Sequence, residues 1–206
     1  MCAEGCPSAS RYFATVRRAI CTPRLRSSAV IASSAKGAAA PAEILVATKT
    51  FTDTWTEKLG DETITARTFT PAHTSGDAVV HFQKANVVHC GDLLFNRRHP
   101  VVDRPAGASL ANWIKMTEAI AKTYDKDTVF IAGHSGTKFP VTCAQADLMV
   151  MRDYITALLG FVTTQIKAGK SRDEIIAIKD VLKGFDDHGP LTAGPLTAAY
   201  DELTAK

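Results

Sequence analysis

Several common signals are scarce or absent in this sequence, and each absence excludes a class of protein. No apolar run approaches the roughly 20 residues that a membrane-spanning helix needs, so we expect a soluble chain with no membrane partner. The net charge is only +3, too small to supply the basic face that binds nucleic acid. Five cysteines occur without CxxC spacing, which excludes zinc-finger and disulfide-scaffold patterns and indicates a reducing, cytoplasmic compartment.

The first 43 residues differ in composition from the rest of the chain. No acidic residue occurs between Gly5 and Ala42, and residues 1–44 hold six basic side chains against two acidic ones. This Ala-, Ser- and Arg-rich composition fits a mitochondrial transit peptide, a disordered basic tail or non-native coding. We predict a low-complexity basic segment over 1–43, disordered or transit-like, and a folded domain over 44–206. A transit peptide would place the protein in mitochondria rather than in the cytoplasm.

The body of the chain is predicted to form strands first and helices afterwards. Thr-rich, aromatic and alternating segments are typical of strands, and apolar residues at helical spacing are typical of helices. A tight hairpin is expected at Gln83-Lys84, and Ser171 with Glu174 predicts a capping box at a helix start. Strands covered by helices predict a layered α/β sandwich. The predicted strands are 44–46, 48–55, 63–69, 77–82, 85–90 and 127–132, and the predicted helices are 112–124, 144–167 and one from residue 171.

Three of these strands are followed by residues that commonly bind metal ions. His73 follows the strand predicted at 63–69, Asp92 the strand at 85–90 and His134 the strand at 127–132. Glycines lie close to all three residues in the sequence. Strand ends of one sheet meet at one edge, so residues distant in sequence can bind the same ion. Imidazole and carboxylate are the usual ligands of a catalytic zinc that keeps one position open. Each residue alone could be a hydrogen-bonded loop or turn residue, whereas the three together predict a metal site.

The segments around these residues resemble the later motifs of the metallo-β-lactamase superfamily. They are 71–77, 86–96 and Gly133-His134, and the resemblance runs from about Leu45 to Leu159. It implies a partial αββα sandwich and metal-assisted hydrolysis of an ester, thioester or amide bond in a small-molecule substrate. By this resemblance His73 would bind the first metal, Asp92 would bridge two metals and His134 would bind the second. The complete family site holds two zinc ions.

One motif of that family is missing from this chain. The family's first metal motif, His-x-His-x-Asp-His, should precede His73, but no histidine occurs before that position. We therefore expect at most one zinc per chain and little or no activity. The alternative is a non-catalytic fragment or pseudo-enzyme that binds a partner, and an exposed sheet edge would allow homo-oligomers. His81 and His89, on predicted strands, are expected to pack or face solvent rather than bind metal.

Overall fold

In the described part of the chain, six strands form one sheet, in which they lie in the order of the sequence. The computed structural model describes residues 50–205, so the predictions for the basic N-terminal segment and for the strand at 44–46 lie outside the described residues. Neighbouring strands are antiparallel except β4 and β5, which are parallel. The strands are β1 (Thr54–Leu59), β2 (Glu62–Thr68), β3 (Ala78–Phe82), β4 (Val87–Asn96), β5 (Val129–Ser135) and β6 (Thr142–Cys143).

The first four strands form a meander with short turns. Gly60, with φ +63°, reverses the chain between β1 and β2. β2 alternates buried and partly exposed residues, which confirms the half-buried strand predicted at 63–69. The predicted hairpin after β3 is correct in place, but its turn spans residues 83–86 rather than two residues. The Glu62 carboxylate accepts hydrogen bonds from the Lys84 and Ala85 N–H groups, which stabilises this wider turn.

The structure corrects the predicted ends of β4 and β5. β4 continues past Cys90 to Asn96, and β5 continues past Ala132 to Ser135. Asp92 and His134 therefore lie within strands rather than beyond them. Gly91 has φ +54°, and the β4–β5 ladder shifts register on both sides of it. Such a bulge redirects side chains without ending the strand. The prediction is wrong here because a glycine can form a bulge within a strand as well as end one.

Within residues 50–205, four α-helices follow or separate the later strands. The long helix predicted at 144–167 and the helix predicted at 112–124 are confirmed to within two residues, and the Ser171 capping box is present. The last helix is not predicted, because its Gly and Pro near the start hide the helical pattern. The helices are α1 (Leu110–Thr123), α2 (Gln145–Lys167), α3 (Arg172–Ile176) and α4 (Ala193–Thr204).

The core lies between the helices and one face of the sheet. Side chains alternate across a strand, so Val88 and Cys90 of β4 and Phe130 of β5 share this face. The largest fully buried side chain is that of Trp113, and its indole N–H donates to the Leu93 carbonyl at 2.9 Å. One sheet with a helical layer confirms the predicted partial α/β sandwich. Among residues 50–205, no helix is both long and apolar enough to cross a membrane.

Candidate functional site

One carboxylate holds the loop that carries His73. Asp77 accepts hydrogen bonds from the backbone N–H groups of Ala72, His73 and Thr74 at 2.8–3.0 Å. It also accepts one from the Thr74 hydroxyl at 2.6 Å, and that hydroxyl in turn accepts the Gly76 N–H at 3.1 Å. An Asp side chain that satisfies several nearby N–H groups closes a turn. The residues of the 71–77 motif therefore fix the backbone of His73.

The segment before α1 supports the same loop. The Ser109 N–H donates to the Ala72 carbonyl at 2.8 Å, and the Ser75 N–H donates to the Ala106 carbonyl at 3.0 Å. These two bonds connect the loop to the helix that carries Trp113. The two bonds therefore fix the position of the His73 loop relative to the core.

Asp92 and His134 face each other across the parallel strands β4 and β5. The Nε2 atom of His134 lies 3.3 Å from Oδ1 of Asp92, and both side chains are partly exposed. Two ligands of a tetrahedral zinc, each about 2.0–2.2 Å from the ion, lie roughly 3.4 Å apart. The pair therefore has the spacing of two ligands on one zinc ion.

Gly133 makes this close approach possible. A Cβ atom at position 133 would lie 2.3 Å from Oδ1 of Asp92 and 2.6 Å from the Gly91 carbonyl oxygen. Both distances are shorter than the 3.0 Å below which a Cβ atom essentially never approaches another atom, so a larger residue would force the strands apart. Glycine before His134 is thus required by the packing of β5 against Asp92.

The ring of Phe95 lies between two of the three predicted ligands, His134 and His73. It stacks on His134, with centroids 4.8 Å apart and an interplanar angle of 27°, and it lies 6.3 Å from the His73 ring. Trp113 contacts His73 edge-on at 5.5 Å. No role was predicted for Phe95 or Trp113 from the sequence. The apolar run Leu93-Leu94-Phe95 is the available signal, because strand composition continues beyond Asp92.

The donors brought together by residues 50–205 do not complete a metal centre. No group of three His, Cys, Asp or Glu side chains in this part of the chain is close enough to hold one ion. Asp92 and His134 have the spacing of two ligands of one zinc ion, and Phe95 lies between His134 and His73. His89 instead accepts the Gly91 N–H on Nδ1 at 3.1 Å, and burial lowers its pKa. His81 packs against the Tyr124 ring at 4.9 Å.

A cavity of about 720 Å³ lies beyond the C-terminal ends of β4 and β5. Its walls are the segments 97–99, 135–139 and 186–189, together with Thr192. Ser135, at the end of β5, directly follows His134, but His73, Asp92 and His134 do not line this cavity. Ligands commonly bind beyond the carboxyl ends of parallel strands, and this volume suits a small molecule.

Comparisons with known proteins identify both a family and a fold. The family model described as the metallo-beta-lactamase superfamily matches residues 17–134, which include His73, Asp92 and His134. The match begins within the predicted basic segment. No curated protein sequence matches the chain. Similar solved structures include a double mutant of the sec-alkyl sulfatase PisA1, with a TM-score of 0.55 and 14% identity over 79% of this chain and 27% of that one.

Two further solved structures resemble parts of the chain. The stereoselective inverting sec-alkylsulfatase Pisa1 from Pseudomonas sp. has a TM-score of 0.53 and 15% identity, over 75% of this chain and 26% of that one. A metallo-beta-lactamase from Pontibacter korlensis has a TM-score of 0.43 and 20% identity, over 52% and 47%. The chain thus spans about a quarter of the alkylsulfatases' length. At 14% and 15% identity, the likeness to the alkylsulfatases shows the fold alone. The family match covers more than half of the sequence. The chain belongs to the metallo-β-lactamase superfamily.

Proposed function

We propose that this chain is a metal-dependent hydrolase that acts on an ester, thioester or amide bond of a small molecule, at a rate limited by its incomplete set of metal ligands. Members of the superfamily are mostly hydrolases and usually bind zinc. The observation that carries the proposal is the 3.3 Å distance between His134 Nε2 and Asp92 Oδ1. When bound, a catalytic zinc supplies Lewis acidity and lowers the pKa of water.

Each predicted ligand has a distinct role in this proposal. Asp92 and His134 hold the ion, and stacking on Phe95 restrains the plane of the His134 ring. His73 would be the third donor. Asp77 fixes the backbone of His73, so the imidazole can approach Asp92 and His134 only by rotation of the side chain. A further donor would come from outside residues 50–205 or from a second chain.

Hydrolysis assays on the full chain test this proposal. Ester, thioester and amide probes are incubated with and without zinc, beside the variants Asp92→Asn, His134→Ala and His73→Ala. We expect a slow rate that rises with zinc and is lost in all three variants. Loss of the groups that merely support metal ligands commonly costs about 10–100-fold, so the loss of a ligand should cost more.

The matched control is Asp153→Asn, which changes an exposed carboxylate paired with Arg152. This variant should retain the rate of the unsubstituted protein. A rate that ignores zinc, or that survives the Asp92 and His134 substitutions, would contradict a metal-dependent hydrolase.

A second candidate function is a non-catalytic interaction module. It is favoured by the incomplete donor set of residues 50–205 and by the exposure of the outermost strand, β1, where five of six residues are exposed. An outer strand can pair with a strand of another chain, so we propose a homo-oligomer through this edge. Light scattering that shows concentration-dependent association, without zinc-dependent turnover, would favour the module. A monomer that hydrolyses a probe would exclude it.

A further inference from the structure

Three cationic side chains border the cavity beyond the ends of β4 and β5. Arg97 and Arg98 directly follow β4, and Lys138 follows β5. Arg98 and Lys138 are exposed and form no ion pair or hydrogen bond with any other residue of 50–205. Two cations from different strand ends are therefore available to a ligand in one cavity.

The turn that carries Lys138 adds backbone donors to this wall. The Phe139 N–H donates to the Gly136 carbonyl at 2.9 Å, and the Gly136 N–H donates to the Asn96 carbonyl at 2.8 Å. Thr137 and Lys138 occupy the two central positions, and neither N–H group has a partner among the described residues. Successive free N–H groups in a turn form a concave site for anions.

Arg97 is held in an unusual backbone conformation at the same place. Its φ is +49°, which is uncommon for a residue other than glycine. A Cβ atom on Gly136 would lie 2.5 Å from the Arg97 carbonyl oxygen, so the turn packs directly on this residue. The Arg97 guanidinium donates to Asn96, pairs with Asp147 and lies over the Phe139 ring. Strained backbone that is fixed by its surroundings is common at ligand sites.

The charges of the opposite wall restrict where an anion can lie. Asp186 and Asp187, both exposed, line the cavity from the segment before α4. They repel an anion toward the wall formed by the ends of β4 and β5. His188 adds no charge near neutral pH, because burial, with smaller contributions from His99 and Arg97, lowers its pKa to about 4.

We propose that Arg98, Lys138 and the backbone of the 136–139 turn bind the oxyanion group of a small molecule, a carboxylate, phosphate or sulfate. Guanidinium, ammonium and free N–H groups are the donors that such oxygens require. The identity of that molecule as the substrate rests on the proposed hydrolase function. Ser135, which lines the cavity, directly follows His134 along β5, so the bound molecule lies near the strand that carries this predicted ligand. The substrate class is then an ester, thioester or amide that carries an oxyanion.

Binding of inorganic phosphate, sulfate and acetate to the full chain, without added metal, tests the site. The backbone amide NMR signals of Thr137 and Lys138 report occupancy at the turn. We expect these signals to shift saturably with at least one anion. The Kd should rise about tenfold or more in the Arg98→Ala/Lys138→Ala double variant, because hydrogen bonds to charged groups are lost.

The control is the Lys115→Ala/Lys167→Ala double variant, which removes the same charge from exposed positions of α1 and α2. It should bind the anions with unchanged Kd. No saturable shift at Thr137 and Lys138, or equal weakening in both double variants, would overturn the site. The measurement involves neither metal nor turnover, so its failure leaves the hydrolase proposal standing. Failure of the hydrolysis assay likewise leaves the anion site standing.

Discussion

Replacing Asp77 with alanine removes every acceptor that this side chain offers to the His73 loop. Oδ2 accepts the N–H groups of Ala72, His73 and Thr74, and Oδ1 accepts the N–H and hydroxyl groups of Thr74. The loop would then depend on its two backbone bonds to the segment before α1.

The expected cost follows from the number and exposure of these bonds. A hydrogen bond to a charged group contributes roughly 1.5–3 kcal/mol, but such values are not additive and water can replace part of them at a half-buried loop. We therefore expect Asp77→Ala to lower the free energy of unfolding by about 2–4 kcal/mol. Asp77→Asn keeps one acceptor oxygen in a neutral group, so we expect about 1–2 kcal/mol.

Urea unfolding measures the loss, and hydrogen exchange at the amides of residues 72–74 shows whether it arises in this loop. Asp201→Ala is the matched control, because this carboxylate accepts two hydrogen bonds from an exposed arginine on the surface. That variant should change stability little. Equal losses in Asp77→Ala and Asp201→Ala, or unchanged exchange at 72–74, would refute the role assigned to Asp77.

Three further perturbations test other parts of the structure. Glu202→Ala should cost about 2 kcal/mol in urea unfolding, because Glu202 accepts the first two N–H groups of α1 and pairs with Arg104; an unchanged midpoint would contradict this. Gly133→Ala should strongly destabilise the protein, because the added methyl group has no room. Gly160→Ala should stabilise it by about 0.5–1 kcal/mol, because Gly160 lies within α2 and no atom stands within 4 Å of the added methyl group. Thermal melting of the two variants compares these effects. The folded pKa of His188, about 4, lies below its ordinary value of 6.5, so the folded state binds fewer protons than the unfolded one. Stability should therefore fall as pH decreases from about 6.5 to 4, and this fall should be smaller in His188→Asn; identical pH profiles would refute it.

The elements that depend on local periodicity could be predicted from the sequence. Alternation over 63–69 corresponds to β2, and the apolar stripe over 144–167 corresponds to α2. The continuation of β4 past Gly91 could not be predicted, because it depends on pairing with β5, about forty residues later. The support that α4 gives to α1 through Glu202 is equally distant in sequence.

Part of the candidate site could likewise be predicted from the sequence, and part could not. Residue types and neighbouring glycines predicted that His73, Asp92 and His134 would form a metal site. Asp92 and His134 lie 3.3 Å apart, but no three such donors among residues 50–205 are close enough to hold one ion. The role of Phe95 between His134 and His73 depends on how rings pack in three dimensions. Which residues donate to the anion cavity depends on the turn at 136–139 and on the strained Arg97, and neither leaves a periodic pattern.

Zinc binding by the full chain, measured by calorimetric titration after dialysis against a chelator, tests the central claim most directly. The partial donor set predicts at most one zinc per chain, held weakly, with binding lost in Asp92→Asn and His134→Ala and weakened in His73→Ala. Asp153→Asn should bind zinc as the unsubstituted protein does. Two tightly held zinc ions per chain, or zinc binding that is indifferent to the Asp92 and His134 substitutions, would contradict the account.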